Sequence, residues 1–174
     1  IEIKEKEIQT IIEYLGITKT YRPKLHTTLL DSLPLDTVIQ AFSPAFQQFY
    51  DIVYIVGPGD THTDHQITFE AAWVHMKNFR ALSKGPKKIL CFETLSSTDA
   101  APPQKHSYFI PNAWSDISQF IEQKCHAMTL YKSESQPDPL PRGSSAIKAL
   151  ARYRGSQVGI EYAEAFMILR DILE

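Results

Sequence analysis

The run Asp51-Ile52-Val53-Tyr54-Ile55-Val56 constrains this chain more than any other stretch. It is rich in β-branched side chains, which lose freedom against a helical turn and pack well on a pleated sheet. From Ile52 to Val56 it is apolar without interruption, which fits an inner strand covered on both faces. It is also far too short to cross a bilayer. Gly57-Pro58-Gly59-Asp60 then breaks it with turn-forming residues. A helical pattern follows from about Asp64 to Arg80, and a second strand-like run, Lys88-Ile89-Leu90-Cys91-Phe92, comes after it.

Strand alternating with helix predicts an α/β fold with a mostly parallel sheet. Upstream, Ile3, Ile8, Ile11, Ile12 and Leu15 share one helical stripe, with Gly16 placed to end it. Residues 17–31 read as a short strand and a loop, and a second helix starts near Pro34 and carries Leu35, Val38, Ile39 and Phe42. Ser43-Pro44 kinks or restarts that helix. The polar stretch Glu93 to Ser107 leads to Tyr108-Phe109-Ile110-Pro111. The remainder reads as helices, one opened by Asp116 or Ser118, another preceded by Gly143-Ser144-Ser145. Glu164 and Phe166 fall in the last of them. No repeat and no linker divides the chain, so a single domain over 1–174 is expected. Ile1 opens within a charged helical pattern and without an initiator methionine, as the inside of a larger domain would.

Composition narrows the function. A net charge of −2 with scattered basic residues argues against a nucleic-acid surface, which needs a clustered positive footprint. No membrane span or signal peptide is apparent, so no membrane association is expected. Two cysteines, Cys91 and Cys125, make no disulfide framework and suit a reducing cytoplasm.

The chemistry is concentrated in Asp60-Thr61-His62-Thr63-Asp64-His65, directly after the first strand. Ligands of open α/β sheets bind beyond the carboxyl ends of the strands. With a helix starting near Asp64, His62 just before it and His65 in its first turn face one cavity. Imidazole is a common zinc ligand, and a neighbouring carboxylate can orient the ring. Alternatively, these are polar loop residues, with Asp64 favoured at a helix N-terminus by the macrodipole. The spacing is also similar to the His-x-His-x-Asp-His signature of metallo-β-lactamase-like hydrolases, with Asp60 in place of the first histidine.

The order of later segments separates these readings. Phe109-Ile110-Pro111-Asn112 leads into Asp116-Ile117-Ser118, then come Lys124, Ser135-Gln136, Arg154-Gly155 and Tyr162-Ala163-Glu164-Ala165-Phe166. Together with the Asp60-to-His65 segment, this succession resembles the LmbE/PIG-L family of zinc-dependent N-acetyl sugar deacetylases, from about Ile8 to the C-terminus. The resemblance implies a Rossmann-like three-layer α/β/α fold. It implies hydrolysis of the acetyl group from an N-acetylated amino sugar or related glycoside, a small-molecule substrate. It implies one Zn2+ ion with His65 as ligand, His62 as the catalytic histidine, and Asp64 orienting its histidine neighbours. The family's other zinc ligands and general base lie in a His-Pro-Asp-Asp segment. These 174 residues contain none, so the resemblance implies that the N-terminal strand carrying it is missing from the sequence as given. The alternatives are a metallo-β-lactamase-like zinc hydrolase, or a non-catalytic remnant of the deacetylase fold acting as a binding domain.

Other residues carry less. His75 reads as a surface or packing residue, and His26, His106 and His126 lie in no ligand spacing. Trp73 and Trp114 fill core or cleft. Ser135, Gln136 and Arg142 lie in a polar loop over 132–143 that either borders a sugar pocket or is simply exposed. The substrate-binding residues, the exact substrate and any homo-oligomeric state are not legible.

Overall fold

In the computed structural model, the described residues are 2–26, 28–77, 85–103 and 108–173. His106 and residues 78–80 lie outside them; the helix expected to reach Arg80 ends at His75 within them. The chain divides into two compact units, Ile1–Thr20 with Trp114–Ala165, and Tyr21–Ala113 with Phe166–Glu174. Among the described residues no helix is long and apolar enough to cross a membrane.

The first unit opens with helix α1, Glu2–Leu15. Gly16, at φ +65°, ends it. Its N–H reaches the Glu13 carbonyl at 3.2 Å, and the Ile17 N–H reaches Ile12 at 2.9 Å. That is the paired closure a left-handed glycine allows at a helix end. Glu7 is buried on α1 and accepts from the Ser133 N–H and hydroxyl. Helices α4, Ile121–Leu130, and α5, Ser144–Ser156, complete the helical part.

The second unit contains helix α2 (Leu35–Phe42), strand β1 (Ile52–Val56), helix α3 (Thr63–His75) and strand β2 (Lys88–Phe92). Strands β1 and β2 pair in parallel, from Ile52 opposite Lys88 to Val56 opposite Phe92. The core of this unit gathers Ile55, Ala72, Met76, Ile89 and Cys91. Val38 on α2 is fully buried, where α2 packs on α3.

Four expectations need correction. Asp116, expected to open a helix, ends a strand over Ala113–Asp116, and the helix starts at Ile121. Residues 17–26 form no strand; Thr18, Lys19 and Thr20 are all exposed, so no apolar face exists there to cover. The last segment is not helical: α5 stops at Ser156, Gly159 adopts φ +75°, and strand β4 runs Ala163–Asp171. Alanine, glutamate, methionine and leucine favour helices, but sheet pairing overrides that preference. Finally, the sheet is mixed rather than mostly parallel. Its order is β1-β2-β4-β3, with β3 at Ala113–Asp116, which places β1 at an edge rather than inside. Strand β4 returns antiparallel to β2, with Phe166 opposite Phe92 and Asp171 opposite Lys88, because the chain re-enters the sheet at the end where β2 finishes. The class is therefore α/β with one parallel pair and an antiparallel neighbour.

Ile89 is fully buried and Ile52 is 45% exposed. Replacing Ile89 with alanine is expected to cost about 2–5 kcal/mol through lost burial and the cavity left behind. Ile52→Ala should stay within about 0.5 kcal/mol, as exposed substitutions do. Denaturant titration of both variants checks the contrast, and equal losses would contradict the edge placement of β1.

Candidate functional site

The site is built where β1 ends. After Val56 the chain turns through 57–60, and the carboxylate of Asp60 enters the interior at 1% exposure. Such burial is costly unless the charge is hydrogen-bonded or paired, and Asp60 is both. Its Oδ1 accepts the His62 backbone N–H at 2.9 Å. Its Oδ2 accepts the Ser97 hydroxyl at 2.9 Å and the Thr98 hydroxyl at 3.0 Å. The His65 Nδ1 stands 3.2 Å from the same oxygen, although not aligned as a regular hydrogen bond. Burial drives the carboxyl up, but the His62 N–H, the His65 ring and the Ser97 hydroxyl outweigh it and hold Asp60 below the ordinary carboxylate range.

Two loops are thereby tied together. Ser97 follows β2 as Asp60 follows β1, and the Thr61 hydroxyl donates to the Ser97 carbonyl at 2.7 Å. In the sequence, Ser97 and Thr98 fall within an unassigned polar stretch. The signal that could have found them is positional, since loops after adjacent parallel strands converge at one end of a sheet.

His62 caps α3. Its backbone is extended (φ −75°, ψ 117°) and its ring accepts from the Asp64 N–H, Nδ1 to N at 3.2 Å. A ring accepting at Nδ1 is neutral and carries its proton on Nε2. His65, one turn on, presents Nδ1 to the Asp60 carboxylate at 3.2 Å; a carboxylate can only accept, so this approach suits a ring protonated on Nδ1 with Nε2 unprotonated. The two rings stack at 4.7 Å and 17°. In these tautomers one ring offers a donor at Nε2 and the other an acceptor.

Asp64 is placed differently from the expectation. Its carboxylate accepts the Thr28 N–H, and the Leu30 N–H at 3.1 Å, and so anchors a neighbouring loop in which Thr28 holds φ +66°. Only its own backbone N–H touches a histidine. The carboxylate that orients a ring belongs to Asp60.

A zinc ion needs three protein ligands in a catalytic site and four in a structural one. Among the described residues no three His, Cys, Asp or Glu side chains gather to hold a metal. His65 supplies one suitable nitrogen with a carboxylate behind it, the usual support of a metal-binding histidine. The described residues alone do not fit a zinc ion.

The remaining candidates have other occupations. His75 stacks on Phe46 and bonds the Ile39 carbonyl at 2.7 Å, a packing role. His26 is exposed, and His126, exposed as well, meets Tyr14 edge-on. The Cys91 thiol is pushed up to about 12 by burial and by the Asp60 charge, which makes it inert. Trp73 stacks on Phe69, and Trp114 donates to Gln157. In the first unit, Arg142 pairs with Glu134, which also holds Lys4 at 2.7 Å, and Gln136 accepts the Arg142 N–H. Ser135 is half-buried. Glu164 pairs with Lys124, and Phe166 packs against Tyr54.

Solved structures share this fold. The conserved protein TT1542 from Thermus thermophilus matches with a TM-score of 0.74 and 23% identity, over 99% of this chain and 76% of its own. N,N'-diacetylchitobiose deacetylase from Pyrococcus horikoshii, in complex with an inhibitor, matches with a TM-score of 0.67 and 20% identity, over 97% of this chain and 63% of its own. At such identities the likeness establishes the fold alone. No protein-family model and no curated protein sequence matches the chain.

The cap predicts how His62 variants behave. His62→Ala should lose about 0.5–2 kcal/mol of stability, whereas asparagine, a preferred capping residue, should restore it. Asp60→Ala, which strips a buried acceptor from two hydroxyls and an N–H, should cost about 1–3 kcal/mol or more. Thermal or urea unfolding checks all three, and an undisturbed Asp60→Ala would contradict the central place given to that carboxylate.

Proposed function

We propose that these 174 residues form the greater part of one de-N-acetylase domain of the LmbE/PIG-L type. It would hydrolyse the acetamide of an N-acetylated amino sugar or related glycoside. The observation that carries this reading is the pair of stacked histidines at the carboxyl end of β1, one ring meeting a backbone N–H and the other the Asp60 carboxylate through Nδ1. The fold that holds them is one it shares with a known deacetylase.

Hydrolysis breaks the C–N bond of the acetamide and adds water across it, giving acetate and a free amine. The attacking water supplies both the new oxygen on the acyl carbon and the proton that the leaving nitrogen takes. The barrier lies in the tetrahedral intermediate, whose oxyanion needs a preorganised donor. His62, neutral with its proton on Nε2 and its Nδ1 held by the Asp64 N–H, is such a donor. Delivering a whole proton from this ring would first require protonating Nδ1, at the loss of the cap. His62 therefore acts by hydrogen bonding to the oxyanion rather than as an imidazolium acid.

His65, with Nε2 free, is proposed as one ligand of a Zn2+ ion. The further ligands and the general base would come from a His-Pro-Asp-Asp segment, which the described residues do not contain. The open edge of β1 supports this part of the reading. An apolar groove of about 300 Å3 runs beside it between Phe42, Phe46, Val53 and Ala72. A further strand laid parallel to β1 would end at the same side of the sheet as His62 and His65. No observation favours the metallo-β-lactamase-like reading.

The test uses the full-length protein, measuring zinc after dialysis and amine release from N-acetylglucosamine-type substrates. His65→Ala should lose zinc and activity together. His62→Asn, with the cap kept, should retain zinc while turnover falls about 100- to 1000-fold and substrate affinity changes little. Equal zinc loss in both variants would make His62 a ligand too. No amine release from the zinc-loaded wild type would leave a non-catalytic binding domain as the better reading.

A further inference from the structure

Three polar partners crowd one oxygen. Asp60 Oδ2 faces the Ser97 hydroxyl at 2.9 Å, the Thr98 hydroxyl at 3.0 Å and the His65 Nδ1 at 3.2 Å, while Oδ1 is taken up by the His62 N–H. Each hydroxyl has a single proton to give. The Thr98 oxygen already accepts the Thr94 N–H at 2.8 Å, so its own proton is free to go to Asp60. The Ser97 oxygen lies 3.5 Å from the Thr94 carbonyl, farther than from Asp60, and its proton goes to the carboxylate as well. Ser97 is only 6% exposed. The His65 Nδ1 is buried and makes no regular hydrogen bond among the described residues; the Asp60 Oδ2 at 3.2 Å is the acceptor it approaches.

We propose that Ser97 and Thr98 are positioning residues for His65: acting through Asp60, their hydroxyls hold the carboxylate so that His65 is protonated on Nδ1 and keeps Nε2 unprotonated. Without them Oδ2 is free to rotate toward other donors, and the ring loses the acceptor that selects its tautomer. The preceding residue, Ser96, adopts φ +74°, a conformation that side-chain-bearing residues rarely take, and this bend delivers Ser97 to the carboxylate. The tautomer stands on the hydroxyl hydrogen bonds that hold Asp60 and on the 3.2 Å approach of the His65 Nδ1 to its Oδ2. Its consequence for catalysis rests on the proposed role of His65.

The experiment is 15N NMR of histidine-labelled protein at a pH where the rings are neutral, for wild type, Ser97→Ala, Thr98→Val and Ser97→Thr. The wild-type His65 is expected to show the Nδ1-protonated pattern. Ser97→Ala and Thr98→Val should raise the Nε2-protonated fraction several-fold, and Ser97→Thr, which keeps the hydroxyl, should restore the wild-type pattern. Should the alanine variant not fold, Ser97→Cys keeps the volume with only a weak donor and is expected to shift the tautomer likewise. An unchanged tautomer in the folded variants, or a wild-type ring protonated on Nε2, overturns the proposal. Amine release is followed in parallel. Activity lost with the tautomer unchanged counts against the positioning and leaves the deacetylase reading standing. A shifted tautomer with full activity upholds the positioning and removes His65 from the reaction.

Discussion

Asp60 brings a negative charge into the interior of its unit, and the chain around it is arranged to meet that charge. A buried carboxylate left unpaired would be strongly destabilising, while one met by several donors organises its surroundings. Here the donors come from two loops, the His62 N–H and the hydroxyls of Ser97 and Thr98, with the His65 ring at the helix start 3.2 Å away. The Gln66 side chain adds a bond to the Asp60 carbonyl at 2.6 Å. The loops after β1 and β2 are therefore held at one spacing, and α3 starts where it does because His62, kept in place by Asp60, caps it.

From this follows a division of labour between two adjacent histidines. Both lie in one short segment, yet the helix N-terminus reads one ring and the buried carboxylate reads the other. The same side chain type thus presents a donor in one case and a lone pair in the other. Hydrolysis of an amide needs both kinds of group, one at the developing oxyanion and one as a ligand or base. Asp64 serves the arrangement indirectly, by fixing the loop at Thr28 and Leu30.

Much of this was legible in the sequence, for physical reasons that also mark where legibility ends. The β-branched run before Gly57 announced β1, and the density of ionisable residues after it announced the site. Gly16 announced the end of α1. The partner of Asp60 was not legible, because Ser97 becomes its neighbour only once β1 and β2 pair in register. Nor was the distinction between Asp60 and Asp64, which depends on which carboxylate the turn at 57–60 directs inward. Strand β4 was hidden by residues such as Ala163, Glu164, Ala165 and Met167, whose local preference is helical, and by a pairing partner on β2 that is distant in sequence, as Cys91 is from Met167. The edge position of β1 was likewise invisible, because an uninterrupted apolar run reads as an inner strand whichever side is open.

The central claim is that His62 and His65 carry their protons on opposite nitrogens. A single long-range 1H–15N spectrum of the wild-type histidine rings tests it most directly. The account predicts an Nε2-protonated His62 beside an Nδ1-protonated His65. The same tautomer on both rings would contradict it.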